Sequence, residues 1–208
     1  MNPNGGITMK TSSRKRVFQL TLLAMLTALL IVLALVNIPQ PAGLSITFNM
    51  IPVAIAAIAL GIHGGAIIGG VFGLISFLQC FGIIGFSAMG AALVNVSPVL
   101  MFIQRFVSRV LVGVITALIY RALNRRNVKD QIAYTITGFS AAFFNTLFFM
   151  SLLVLLFGNT EYLQGLMAGR SVLAFIIASV GINAVVEMIV AALVTTAIGM
   201  ALKKSKLI

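Results

Sequence analysis

From Val17 to Val36 the chain runs for twenty residues without a charged side chain. As a helix such a run is about 30 Å long, the thickness of a bilayer's hydrocarbon core. The pattern repeats: further apolar stretches extend from Met50 to Phe86, from about Pro98 to Leu123, from about Ile132 to Phe157 and from about Ser171 to Leu202. Of the 208 residues, 61% are hydrophobic and only 8% charged, whereas a soluble domain carries about a quarter charged residues. The sequence therefore predicts an all-α integral membrane protein. A cleaved signal peptide is the competing reading of the first run, but its apolar region is normally shorter and no small-residue cleavage site is evident before Pro39 and Pro41.

The region from Met50 to Phe86 is too long for one span and is interrupted at GIHGG, Gly61 to Gly65, where glycines on both sides of His63 favour a tight turn. Two short helices are expected there, the first starting with Asn49 as a cap and Pro52 in its first turn. Gly82 to Ser97 reads as an irregular apolar loop before Pro98 opens the next helix, and GNTEYLQGLMAGR, Gly158 to Arg170, reads as a polar loop. The expectation is six transmembrane helices in a single domain, 1–208, with residues 1–16 a basic cytoplasmic segment.

Charge supports an even number of spans. With the N-terminus inside, eleven of the fourteen basic residues fall inside, in groups at Lys10 to Arg16, Arg121 to Lys129 and Lys203 to Lys206, and only Arg170 lies outside. This is the positive-inside pattern, with both termini cytoplasmic. The net charge of +11 thus speaks of topology, not of nucleic acid, which would need a basic surface on a soluble module. The lone Cys80 excludes an intramolecular disulfide and a cysteine-based metal cluster.

Two cations remain, Arg105 and Arg109, both inside the fourth span. An intramembrane cation costs about 2.5 to 3.5 kcal/mol on insertion scales and normally faces the bundle interior with a partner. Counted from the helix ends, Arg109, Asn145 and Glu187 lie about 18, 20 and 22 Å from the inner surface. Arg105 with Arg109, and Asn183 with Glu187, are each four apart and so share a helix face. A structural or gating ion pair between Arg109 and Glu187 is expected, which by itself would fix register and bind nothing. Arg105 is then the surplus charge, placed to grip an anionic solute or else to snorkel or pair with Glu161. Asn49, Gln79, Asn95, Asn145 and Asn183 are the amides that would orient such a solute, with Asn49 and Asn95 also readable as a cap and a turn residue. The phenylalanines of AAFFNTLFFM, around Asn145, could stack on a ligand, but facing lipid or packing in the core is the favoured expectation.

Enzyme chemistry lacks its parts. GxSxG, HExxH and the GxxxxGK[ST] phosphate loop are missing and the chain has one histidine, so energy for transport would come from a gradient or another subunit.

The six-span plan, AMLTA (Ala24 to Ala28), SITFNMIPVAIAAIALG and GGAIIGGVFGLISF together resemble the substrate-binding S component of energy-coupling factor (ECF) vitamin transporters, in its riboflavin-type group, over nearly the whole chain. The resemblance implies that Ala24 and Ala28, an AxxxA pair, pack on coupling helices of a shared transmembrane subunit. Small residues four apart do allow such close approach. It further implies a prokaryotic plasma-membrane protein with no cofactor of its own, partnered by that coupling subunit and two ATPases that use ATP and magnesium. Substrate would be captured at the outer face and released inside by toppling of the whole subunit. Pantothenate, anionic and hydroxylated, suits the surplus Arg105; riboflavin and folate are the other vitamins in view. A stand-alone secondary transporter or channel for a small anion is the alternative of a different class.

Overall fold

The computed structural model describes residues 5–35, 38–39 and 45–207. The first four residues of the expected basic segment, Val36 at the end of the first run, and Pro41 lie outside the described residues. Among the described residues there are seven α-helices: α1 (Gly5–Leu35), α2 (Met50–Leu78), α3 (Ala88–Val94), α4 (Pro98–Arg125), α5 (Asp130–Phe157), α6 (Glu161–Met167) and α7 (Val172–Lys204). A two-residue pair, β1 (Ile38–Pro39) with β2 (Ser45–Ile46), runs antiparallel between α1 and α2. Among the described residues, five stretches are long and apolar enough to cross a membrane: Lys15–Leu35, Met50–Phe81, Pro98–Arg125, Asp130–Phe157 and Asn183–Lys204.

The expected break in the second region falls at Gly61, whose φ of 67° and ψ of −153° leave the helical range and suit a residue with no Cβ. The chain reverses there. A Cβ placed on Gly64 would lie 3.1 Å from the carbonyl oxygen of Ala56, eight residues back and about 12 Å away in a continuous helix. His63 sits exposed in this bend.

Two segments expected to be loops are partly helical. Within Gly82 to Ser97, α3 forms because Ser87 supplies an N-cap, its Oγ accepting the Gly90 N–H at 3.2 Å. Within Gly158 to Arg170, the Thr160 Oγ1 accepts the Leu163 N–H at 3.4 Å and starts α6. Each helix is one hydroxyl and two turns long, too short for an apolar period to announce it. Pro98 does open α4, behind Ser97 as cap. Asn49 does not cap α2: its side chain makes no capping bond and its backbone is already helical. That frees Asn49 for another role.

What positions the interior is a seam of glycines. Gly65, Gly69 and Gly73 of α2 lie against Gly113, Arg109 and Phe106 of α4, so close that a Cβ on Gly73 would sit 2.8 Å from the Phe106 Cα. Rising numbers on one helix meet falling numbers on the other, so this half of α2 runs antiparallel to α4. Backbone-to-backbone contact of this kind is how helices associate where no hydrophobic drive separates them from lipid. It presents Arg105 and Arg109 to the bundle interior. At one end of the bundle the Lys203 ammonium bonds the Asp130 carboxylate, tying the end of α7 to the start of α5. Helix α1 is attached differently, through the buried stripe Leu26, Leu30 and Ala34, and Ala24 and Ala28 are exposed on it.

Candidate solute-binding site

Arg105 and Arg109 are both buried, at 6% and 5% exposure. The interior answers them with hydroxyls and aromatic faces. Arg105 donates from Nη1 to the Ser76 Oγ at 3.1 Å and from Nη2 to the Ser87 Oγ at 3.0 Å, which ties α4 to α2 and to the cap of α3. Arg109 donates to the Ser108 Oγ at 3.0 Å, and that hydroxyl in turn donates to the Gln104 carbonyl at 2.6 Å. The Phe149 ring lies under both guanidinium groups, 5.0 Å from Arg105 and 4.6 Å from Arg109, and Phe72 covers Arg109 from α2 at 4.9 Å. In a desolvated setting each such contact is worth about 1 to 2 kcal/mol.

The expected ion pair between Arg109 and Glu187 is not formed. Among the described residues no carboxylate touches either guanidinium, and the ion pair that does form is Lys203 with Asp130. Glu187 instead accepts the backbone N–H of Thr47 at 2.8 Å, holding the approach to α2 against α7. Depth counted along a helix does not give the direction in which each side chain points, and Phe72 and Phe149 occupy the faces of Arg109.

Several polar side-chain atoms are buried without a hydrogen-bond partner, among them both amide atoms of Asn49, the Oε1 of Gln104, the Oδ1 of Asn145, and the Nε of Arg105 and of Arg109. Gln104 is held in place by its other end, its Nε2 donating to the Phe149 carbonyl at 3.2 Å. Asn145 lies one turn from Phe149 on the buried face of α5. An unsatisfied buried polar atom costs about 1 to 3 kcal/mol, so a cluster of donors and acceptors of this kind is built around a polar guest, or around water. Two guanidinium groups with no acid in contact can hold an anionic group.

The remaining expected site residues divide. Gln79 is buried but donates its Nε2 to the Ala34 carbonyl at 3.2 Å, fastening the end of α2 to α1. Asn95 is exposed and donates to the Ala91 carbonyl at 3.0 Å, within its own helix, which is the turn role. Asn183 is half-buried one turn before Glu187. Ser76, Ser87, Gln104, Phe72 and Phe149 belong to the site and were not singled out from sequence. A buried serine or glutamine in an apolar span is a readable signal, since an intramembrane polar group needs a partner. For the two phenylalanines no signal distinguishes them from the other aromatics of their helices.

A membrane-spanning helical bundle whose interior keeps an unpaired, positively charged polar cluster is the construction of a solute-binding transport protein. The family model of the ECF transporter substrate-specific component matches residues 18–199, and the chain belongs to that family. It is thus a multi-pass plasma-membrane transport component and not an enzyme. Among curated proteins it is similar to the pantothenic acid transporter PanT of Lactococcus lactis subsp. cremoris (strain MG1363), with 29% identity over 210 residues, covering 93% of this chain and 97% of that one.

Proposed function

We propose that the chain captures pantothenate for an ECF transporter. The carrying observation is the pair of buried guanidinium groups with no carboxylate in contact among the described residues, next to Gln104, whose Oε1 is buried without a hydrogen-bond partner. A carboxylate on the solute matches the planar fork of Arg105, and the solute's hydroxyl and amide groups match the surrounding side-chain amides. Phe149 and Phe72, behind the guanidiniums, keep water out and raise the value of each polar contact. The similar lactococcal protein, a pantothenic acid transporter, supports the same choice.

On this reading the two halves of α2 count as separate crossings. Six spans then leave both termini in the cytoplasm, where eleven of the fourteen basic residues also fall. The partners are a transmembrane coupling subunit, met by Ala24 and Ala28 on the exposed face of α1, and two ATPases, which hydrolyse ATP with magnesium. Substrate is taken up at the outer face and released inside as the whole subunit topples.

Calorimetry on the detergent-purified chain tests the assignment. Pantothenate should bind in preference to riboflavin and folate, and Arg105→Ala should weaken it at least ten-fold, about 1.4 kcal/mol or more. Tight riboflavin binding that Arg105→Ala leaves unchanged would sink the anion reading.

A further inference from the structure

At the opposite end of α4 from the start of that helix, Leu118, Arg121, Ala122, Arg125 and Arg126 line an open groove of about 390 Å³. The spacing of these residues, three or four apart, puts them on one face of the helix. Chemically the face is divided. Leu118, 46% exposed, and Ala122 form an apolar floor on the side toward the middle of the span, and the three arginines crowd its end. Leu111, two turns before Leu118 and also exposed, continues the apolar track.

Among the described residues no carboxylate pairs with these arginines. The chain has only three acidic residues. Asp130 is engaged by Lys203, Glu187 is buried on the Thr47 N–H, and Glu161 opens α6 beyond the far end of α5, a helix about 40 Å long. Among the described residues none of the three arginines takes part in an ion pair. They sit where a span leaves the hydrocarbon, the depth of lipid headgroups, and guanidinium forks bind phosphate oxygens two at a time. A basic groove beside a span, continuous with an apolar track, fits an amphiphile whose negative end is a phosphate.

We propose that this groove is a binding site for an anionic phospholipid, its headgroup phosphate held by Arg121, Arg125 and Arg126 and an acyl chain laid along Leu118 and Leu111. The site is separate from the Arg105 cluster and does not depend on which vitamin that cluster holds.

Native mass spectrometry of the full chain in a neutral detergent tests it, with dioleoylphosphatidylglycerol and dioleoylphosphatidylcholine offered at equal concentration and inorganic phosphate in a separate arm. The wild type should retain one phosphatidylglycerol with at least a ten-fold preference over phosphatidylcholine. Arg121→Gln with Arg125→Gln should abolish the preference, and Leu118→Trp, which fills the floor and keeps every charge, should lower retention several-fold. Equal retention of the two lipids overturns the proposal, as does selectivity unchanged in the double variant. Displacement of the lipid by millimolar phosphate overturns it in favour of a soluble-anion site. Should the double variant fail to fold, unchanged lipid retention in Leu118→Trp is by itself the overturning result.

Discussion

Helices α1 and α4 are both apolar and both long enough to cross a bilayer, yet they are held in opposite ways. On one side α4 meets the backbone of α2 through Gly113, Arg109 and Phe106, and on another it bonds the main chain of α5 through Gln104. Two of its faces are taken up by the protein, while a third, with Leu111 and Leu118, stays exposed. Helix α1 touches the rest through one stripe, Leu26, Leu30 and Ala34, and leaves Ala24 and Ala28 uncovered. The difference separates a helix that builds the site from a helix free to be read by something else.

The comparison is broken most severely at Gly113. Leucine there must push the Gly65 backbone away, an overpacking that costs about 1 to 3 kcal/mol even in forgiving cores. Gly113→Leu should therefore yield little or no monodisperse protein by size-exclusion chromatography, while Ala24→Leu, the same bulk on α1, should elute as the wild type does. Equal behaviour of the two would deny the seam its role.

Next in size is a loss of transport without a loss of binding. With Ala24→Leu and Ala28→Leu combined, cellular uptake of radiolabelled pantothenate should fall at least ten-fold, while the purified variant binds within two-fold of wild type. Full uptake would mean that the uncovered face of α1 meets only lipid, and would favour a transporter that works alone.

A subtler intervention is Phe149→Leu, which keeps the apolar volume near its place but removes the ring beneath both guanidiniums. A stability loss of about 1 to 3 kcal/mol is expected, from the cation contacts and the smaller side chain together, seen as a lower thermal midpoint in detergent. If Phe149→Leu melts with the wild type, the arginines are held by their serine hydroxyls alone. Smallest of all is Asp130→Asn, at the half-exposed pair with Lys203. Exposed pairs contribute about 0 to 1 kcal/mol, so its midpoint should move by no more than a few degrees.

Much of this arrangement is legible from the sequence. Apolar run lengths mark the spans: the expected Pro98 to Leu123 and Ile132 to Phe157 became Pro98–Arg125 and Asp130–Phe157. Glycines around His63 mark the reversal at Gly61, because backbone conformation is a local property of glycine. A fixed rise per residue gives the position of Arg109, Asn145 and Glu187 along their own helices. What stayed hidden depends on rotation about a helix axis. Depth alone paired Arg109 with Glu187, whereas the N–H of Thr47, in the segment leading into α2, claims the carboxylate. Phe149 resembled the lipid-facing Phe143 in sequence and differs from it by its direction, 8% exposed against 41%. Asn49 looked like a cap because asparagine favours that position. Its backbone, already helical, does not allow the role.

The glycine seam also sets mechanical limits. Two main chains in direct contact leave no compliant layer of side chains between them, and packed interfaces shift between discrete arrangements more readily than they deform smoothly. Sliding α2 along α4 would drive the Gly73 backbone into Phe106 and lift Gly69 off Arg109. Motion that accompanies release of a solute is left to the segments outside the seam, or to the whole body turning as a unit in its bilayer.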